Sequence, residues 1–404
     1  MDAISRGKEL ILNRSNAFNN RYFCAYGHIA LQVDDFYYLM TKENLPLSDI
    51  REEDINVYEL GNDDISRIFL TRSDINAIVF ACTPASAKFS LKADVMKPAL
   101  DDLAQIVGED VKVAKDVAPR TLLKALKGRN GCFIRGAGIC AIGSTIEEAI
   151  AATRILEKSA EAEMFADQLL GLQYLPAEEA KKLREFYDKS YSKVNKEGHV
   201  EFVGIDPEEF HMRNKIIDCG KELCRHDLVQ GTWGNISTRL NYREMLITPS
   251  GMDYFNVMSE DIVKVDINTL DYGMQRKPSS ECRLHAALYR KYPDCNAVIH
   301  THSNGCCVFA AANAGFRIEN EDIRNVIGDL HVSEYREPGT EEMSEAVMEA
   351  LEGSKACIVA NHGAVFYGDD LDTVFEIADA VETKACNLLG FDSLLEDVLL
   401  EEGF

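Results

Sequence analysis

The sequence has no long apolar run, no excess of cationic side chains and no CxxC cysteine pair, and each absence excludes a class of protein. No apolar stretch reaches the roughly 18 residues that a membrane-spanning helix needs. The opening Met1-Asp2-Ala3-Ile4-Ser5-Arg6 lacks the apolar centre of a secretory signal. Lys and Arg number 43 against 67 Asp and Glu, for a formal net charge of −24. That balance argues against a nucleic acid or an anionic membrane as partner, because phosphate backbones are held chiefly by Lys and Arg. An anionic small molecule stays open, since a local site or a metal ion is enough for one. The twelve cysteines form no CxxC pair of the metal-binding kind. Cys132, Cys140, Cys295, Cys306, Cys307 and Cys357 lie in or beside apolar runs, as reduced, buried thiols do. The expectation is a cytoplasmic enzyme, and 404 residues suggest two or three domains.

What the chain does have is Ala297-Val298-Ile299-His300-Thr301-His302-Ser303. On a β-strand alternate side chains share a face, so His300 and His302 project together. Two such imidazoles are part of a typical catalytic zinc site, although the pair alone reads equally well as ordinary strand-end histidines. A third histidine closes a second apolar run, Ala356-Cys357-Ile358-Val359-Ala360-Asn361-His362-Gly363, with a glycine suited to a tight turn. Upstream, Lys277-Pro278-Ser279-Ser280-Glu281 opens a helical pattern that runs from Cys282 to Tyr292 and stops at Pro293. Its serines and Glu281 sit where free backbone N–H groups attract anions. Three neutral imidazoles leave a zinc ion its full charge and an open position, and a nearby carboxylate can serve as ligand, base or both.

The two halves repeat one another. Tyr26-Gly27-His28-Ile29-Ala30 has the shape of Trp233-Gly234-Asn235-Ile236-Ser237, and at the same spacing Thr41 falls on Thr248. Further on, Asn76-Ala77-Ile78-Val79 matches Asn296-Ala297-Val298-Ile299, Gly138 matches Gly363 and Glu157 matches Glu382. The copies differ where chemistry would lie. Phe80 stands for His300, Cys82 for His302, Ala137 for His362 and Gly61 for Glu281. The expected organisation is a degenerate, metal-free copy over residues 1–172, a helical linker over 173–206 that begins at Pro176-Ala177, and a site-bearing copy over 207–404.

Five stretches in order, Gly234-Asn235-Ile236-Ser237, Thr248-Pro249-Ser250-Gly251, Ser279-Ser280-Glu281, His300-Thr301-His302 and Asn361-His362-Gly363, resemble the class II aldolase/adducin family in its fuculose-phosphate aldolase-like branch. The resemblance covers about residues 208–390, and the repeat extends it to the N-terminal half. It implies an α/β fold of two tandem domains, each a mostly antiparallel central sheet flanked by helices. It implies one Zn2+ per chain on His300, His302 and His362, with Glu281 as the catalytic proton shuttle. It further implies that Gly234, Asn235, Ser250, Gly251, Ser279 and Ser280 bind the phosphate of a small sugar phosphate. By resemblance the reaction is retro-aldol cleavage, or aldol addition, of a phosphorylated ketose through a metal-stabilised enediolate.

Alternatives on the same residues are an epimerase, a dehydratase or a decarboxylase, or a non-catalytic adducin-like scaffold. Glu rather than Asp after the two serines leans away from the family's epimerases. The family's aldolases also use a Tyr from a neighbouring subunit, whereas residues 317–328 contain none and Tyr335 lies a few residues beyond. Tyr22, Tyr26 and Tyr37 of the first repeat are available to take that part. The family forms four-domain rings, so the resemblance implies a homo-oligomer, with two tandem chains completing a ring. His285, one helical turn after Glu281, reads as a packed helix histidine or as a supporting neighbour of the site. His28, His199, His211, His226 and His331 match no motif.

Overall fold

The computed structural model describes residues 2–18, 25–169, 171–191, 206–273, 275–318 and 321–391. Tyr22, His199 and the Asn195–Gly198 end of the linker lie outside the described residues. The chain forms two compact units. One takes in Met1–Asp167, Tyr174–Tyr187 and Phe391–Phe404, the other Gln168–Gln173 and Asp188–Gly390. The helix Ala177–Phe186, at the head of the segment read as a linker, therefore groups with the first unit. Among the described residues no helix is long and apolar enough to cross a membrane.

The first unit holds β1 (Tyr26–Gln32), β2 (Tyr37–Thr41), β3 (Leu45–Pro46), β4 (Ile55–Glu59), β5 (Ala77–Cys82), β6 (Val95–Met96), β7 (Val111–Ala114), β8 (Gly131–Ile134) and β9 (Gly138–Gly143). They lie in the order β4-β2-β1-β5-β9-β8-β7-β6, with β3 against β1. The second unit holds β10 (Asn235–Arg239), β11 (Glu244–Ile247), β12 (Val263–Asp266), β13 (Ala297–Thr301), β14 (His331–Val332), β15 (Ala356–Val359) and β16 (Gly363–Gly368). Their order is β12-β11-β10-β13-β16-β15-β14. The sheets are mixed rather than purely antiparallel. Among the described residues one parallel pair occurs in each, β7 with β8 and β14 with β15. The expected two-domain α/β architecture is the one observed.

The repeat is visible bond by bond. His28 pairs with Phe80 as Asn235 pairs with His300, and Phe80 pairs with Cys140 as His300 pairs with Val365. The Ile29 N–H donates to Thr41 Oγ1 at 3.0 Å, and the Ile236 N–H to Thr248 Oγ1 at 3.2 Å. The N–H of Asn76 reaches the Gly143 carbonyl at 2.9 Å, and that of Asn296 the Gly368 carbonyl at 2.8 Å. In both units the first bond ties β1 or β10 to the end of the next strand, and the second ties the start of β5 or β13 to the end of β9 or β16.

In the second unit one sheet face is covered by the helices Cys282–Lys291 and Glu341–Ala350. Leu284 and Leu288, one turn apart, pack with Met343 and Val347 onto Met245, Val265, Val298 and Val365. Full burial of each such side chain is worth about 1.5–3 kcal/mol. The same spacing buries His285 and Tyr289 in the first helix. Tyr292 is extended and Pro293 follows, which ends that helix. Because Val298, His300 and His302 alternate along one strand, the pleat that buries Val298 carries both histidines on the same side.

Candidate functional site

β13 is central to its sheet, buried along its whole length, and ends at Thr301, with His300 inside it and His302 directly after it. β16, which starts at Gly363, pairs with β13, and β15 lies on the far side of β16, joined to it by the turn Ala360-Asn361-His362. Asn361 takes the left-handed conformation, φ 58°, which Asn tolerates better than most residues. A Cβ at Gly363 would stand 2.2 Å from the Thr301 carbonyl oxygen, so the close passage of the turn over β13 depends on glycine here. A Cβ at Gly234, φ 75°, would lie 2.7 Å from the His300 carbonyl oxygen. Two of the glycines in the motifs are thus the conditions under which the histidine-bearing strand is approached from both sides.

The three imidazoles converge. Their ligand nitrogens lie within 4.8 Å of one another, and among the described residues this is the one group of at least three His, Cys, Asp or Glu side chains able to hold a metal ion. The His300 and His362 rings stack at 4.8 Å with planes 8° apart, and His302 stands edge-on to both, at 4.7 and 4.6 Å. His300 Nδ1 is 2.9 Å from the Ala364 carbonyl oxygen. A carbonyl only accepts, so Nδ1 carries the proton and the Nε2 lone pair faces the cluster. His300 Nε2 lies 2.9 Å from His302 Nε2. A buried set of imidazole nitrogens, with one ring held from behind by a carbonyl, fits a divalent metal of the zinc kind.

Glu281 closes the cluster. Its Oε1 is 2.5 Å from His362 Nε2 and its Oε2 3.2 Å from His300 Nε2. Burial works against its charge, yet the facing His300 and His362, the bond to His362 and the nearby His302 outweigh burial. The carboxyl is held well below the usual carboxylate range. Asn235 Nδ2 donates to Oε2 at 2.9 Å, and the Ser279 hydroxyl oxygen accepts from the Glu281 N–H at 3.3 Å.

The remaining candidates sit on two joined turns. The Ser250 N–H donates to the Lys277 carbonyl and the Ser279 N–H to the Thr248 carbonyl, both at 3.0 Å, with Pro249 and Pro278 bridged between them. Ser250 and Ser279 are buried, while Gly251 and Ser280 are exposed. Hydrogen bonds join Asn235 and Ser279 to Glu281, whereas Ser250 reaches the group through the paired turn backbones.

Four side chains near the site carried no assigned role in the sequence. Trp233 lies over His302 with ring centroids 5.5 Å apart. Glu382, on the helix Leu371–Leu389, accepts from Ser303 Oγ at 2.7 Å, from the Gly305 N–H at 2.7 Å and from the Cys306 N–H at 2.9 Å. It thereby caps the helix Asn304–Ala312 directly after His302. Its match with Glu157 in the repeat was the one available signal. His285 and Ser237 stand behind Asn235, and the helical spacing from Glu281 to His285 was the signal there. In the first unit the same positions hold a different chemistry. His28 stacks on Phe80 at 4.5 Å, and Cys82 occupies the place of His302.

Residues 20–164 and 214–388 match the family described as Class II Aldolase and Adducin N-terminal domain, and together they make up well over half of the chain. The chain belongs to this family, and carries its domain twice. It is similar to a 5-methylthioribulose-1-phosphate/5-deoxyribulose-1-phosphate aldolase of Rhodospirillum rubrum, 34% identical over 43% of this chain and 78% of the relative. It is also similar to an L-fuculose phosphate aldolase of Haemophilus influenzae, 36% identical over 43% of this chain and 80% of the relative. A solved structure of an L-fuculose 1-phosphate aldolase is 33% identical over 46% of this chain and 87% of that one, with a TM-score of 0.42.

Proposed function

We propose that this protein is a metal-dependent aldolase that cleaves a small phosphorylated ketose, and in reverse forms one, with Zn2+ held by His300, His302 and His362. The observation that carries the reading is the buried carboxyl group of Glu281 set 2.5 Å from His362 Nε2 and 3.2 Å from His300 Nε2, in a cluster of three buried imidazoles. When bound, the metal supplies a charge that polarises a carbonyl. Glu281, an acid in direct contact with the cluster, takes and returns the proton at the carbon beside that carbonyl. Asn235 holds the carboxylate from one side and His362 from the other. The turns at Gly234–Asn235, Ser250–Gly251 and Ser279–Ser280 offer backbone N–H groups and hydroxyls to the phosphate, which suits a chain with so few cations to spare. Relatives named for deoxyribulose 1-phosphate and fuculose phosphate support the substrate class.

The test is a panel of ketose 1-phosphates, including 5-deoxy-D-ribulose 1-phosphate and L-fuculose 1-phosphate, assayed for a three-carbon ketone phosphate. Release of that product from at least one member is the expected result. A second reading, dehydration or decarboxylation on the same residues, is favoured by the absence of any Tyr in residues 317–328. Consumption of substrate without a three-carbon product would select it. We also propose that the first unit is catalytically silent and that two chains assemble around shared sites. Light scattering of the purified protein should therefore give a dimer or a multiple of one, and a fully active monomer would refute this.

A further inference from the structure

The helix that begins after Glu281 carries a fully buried histidine which the reading above does not use. His285 Nδ1 lies 2.6 Å from Ser237 Oγ, and Nε2 lies 2.5 Å from Asn235 Oδ1. Ser237 Oγ is 2.7 Å from the Tyr289 hydroxyl, and Asn235 Nδ2 is 2.9 Å from Glu281 Oε2. All five side chains are buried. They connect the core of the helix-covered face to the carboxylate without a gap.

The direction of each bond follows from which atoms can donate. The amide nitrogen of Asn235 donates to Glu281 Oε2, so the amide oxygen faces His285. That oxygen only accepts, so the proton of His285 sits on Nε2. A buried imidazole with no carboxylate bonded to it stays neutral. Its Nδ1 then accepts from the Ser237 hydroxyl, whose oxygen accepts from Tyr289. Donation runs one way, from Tyr289 through Ser237, His285 and Asn235 to Glu281. The other tautomer would set a bare nitrogen lone pair against Asn235 Oδ1. The amide would then turn over and present its oxygen to the carboxylate.

We infer that His285 is a positioning residue for Glu281. Its Nε2–H fixes the amide of Asn235 so that Nδ2 stays on Glu281 Oε2 and the carboxylate keeps facing His300 and His362. The catalytic part of this inference rests on the role proposed for Glu281; the hydrogen-bond directions do not. A histidine that merely packs the core would influence stability but would need neither a particular tautomer nor a donor at Nε2.

Two measurements on the full chain test it. The first is 15N NMR at pH 7 of protein labelled at histidine, with the His285 signal assigned by its loss in His285→Gln. The expected pattern is a neutral ring with Nε2 protonated and Nδ1 bare; a protonated Nδ1 would overturn the inference whatever the enzyme turns over. The second compares His285→Leu with His285→Gln on 5-deoxy-D-ribulose 1-phosphate, or on whichever ketose phosphate the panel selects. Gln supplies a donor in the place of Nε2 and an acceptor beside it, and Leu supplies neither. His285→Leu should lower kcat about 10–100-fold with KM unchanged, and His285→Gln should recover most of that loss. Equal kcat in the Leu variant and the parent, while Glu281→Gln is inactive, would refute the positioning role. If Glu281→Gln is itself fully active, the proposed role of Glu281 has failed, and the tautomer measurement alone decides the network.

Discussion

Glu281 Oε1 lies 2.5 Å from His362 Nε2, although 81 residues separate the two in the chain. One stands at the start of a helix, the other in the turn between two strands. The contact joins the acid of the site to the histidine most remote in sequence. Replacing the carboxylate by an amide keeps the shape and removes the base. Glu281→Gln should therefore lower kcat by about 10²–10⁴ in a protein whose circular dichroism spectrum is unchanged.

The metal prediction is one of stoichiometry. The second unit brings three imidazoles together, and the first presents Phe80, Cys82 and Ala137 at the matching positions. Elemental analysis should find about one zinc per chain, a soft-nitrogen site being suited to that ion. His302→Ala should lose both the metal and the activity, and dialysis against a chelator should remove activity that added Zn2+ restores. Two tightly held ions per chain would mean that the first unit is not metal-free.

Glu382 touches no candidate ligand, yet it holds the chain just beyond His302. Its removal leaves the Ser303 hydroxyl and two helix N–H groups without their acceptor in a buried place. Glu382→Ala should cost roughly 2–4 kcal/mol, at the upper end for buried hydrogen bonds to a charge. The midpoint of urea unfolding measures this, and metal affinity should fall with it because the His-bearing strand end loses its anchor.

Gly363→Ala places a methyl group 2.2 Å from a backbone oxygen of β13, which cannot step aside as a flexible side chain would. Gly353 offers the control, since it has φ 78° but nothing within 4 Å of an added Cβ. Gly353→Ala should cost only about 1–2 kcal/mol, the backbone strain alone. Gly363→Ala should cost more than that and should weaken zinc binding, which Gly353→Ala should leave intact.

Burial pushes His285 down to about 3, with Glu281 opposing and His300 adding to the shift. In the unfolded chain the same ring titrates near 6.5. Between these values the unfolded state holds a proton that the folded state does not, so stability falls as pH drops from about 6.5 toward 3. His285→Gln lacks that proton in both states. The difference in unfolding free energy between the parent and this variant should therefore shrink as pH is lowered from 7.5 to 5, as read by urea titrations at the two values.

Much of this protein is legible along the chain because short-range rules govern it. Alternation on a strand set His300 and His302 on one face, and Pro293 marked the end of the helix that Ser279-Ser280-Glu281 begins. The repeat was readable because Thr41 and Thr248, and Asn76 and Asn296, make the same bonds in both units, and Gly27 and Gly234 each pass close to the backbone of the next strand, at Phe80 and His300. Each of these residues answers a local demand of backbone geometry, which a sequence records directly. The parallel pair in each sheet was not readable, since β14 and its counterpart β7 join by only two residue pairs each.

What the tertiary structure alone decided is who touches whom across distance. Asn235 carries the same letter whether it binds a phosphate, caps a turn or holds a carboxylate, and only the packing of β10 against β13 and the following helix turns its amide toward Glu281 and His285. His285 reads as core from its spacing, and its tautomer follows from a partner 50 residues away. Residue type states which hydrogen bonds a side chain is able to make. Which of them it makes depends on what burial leaves within 3 Å, and that is a property of the folded chain.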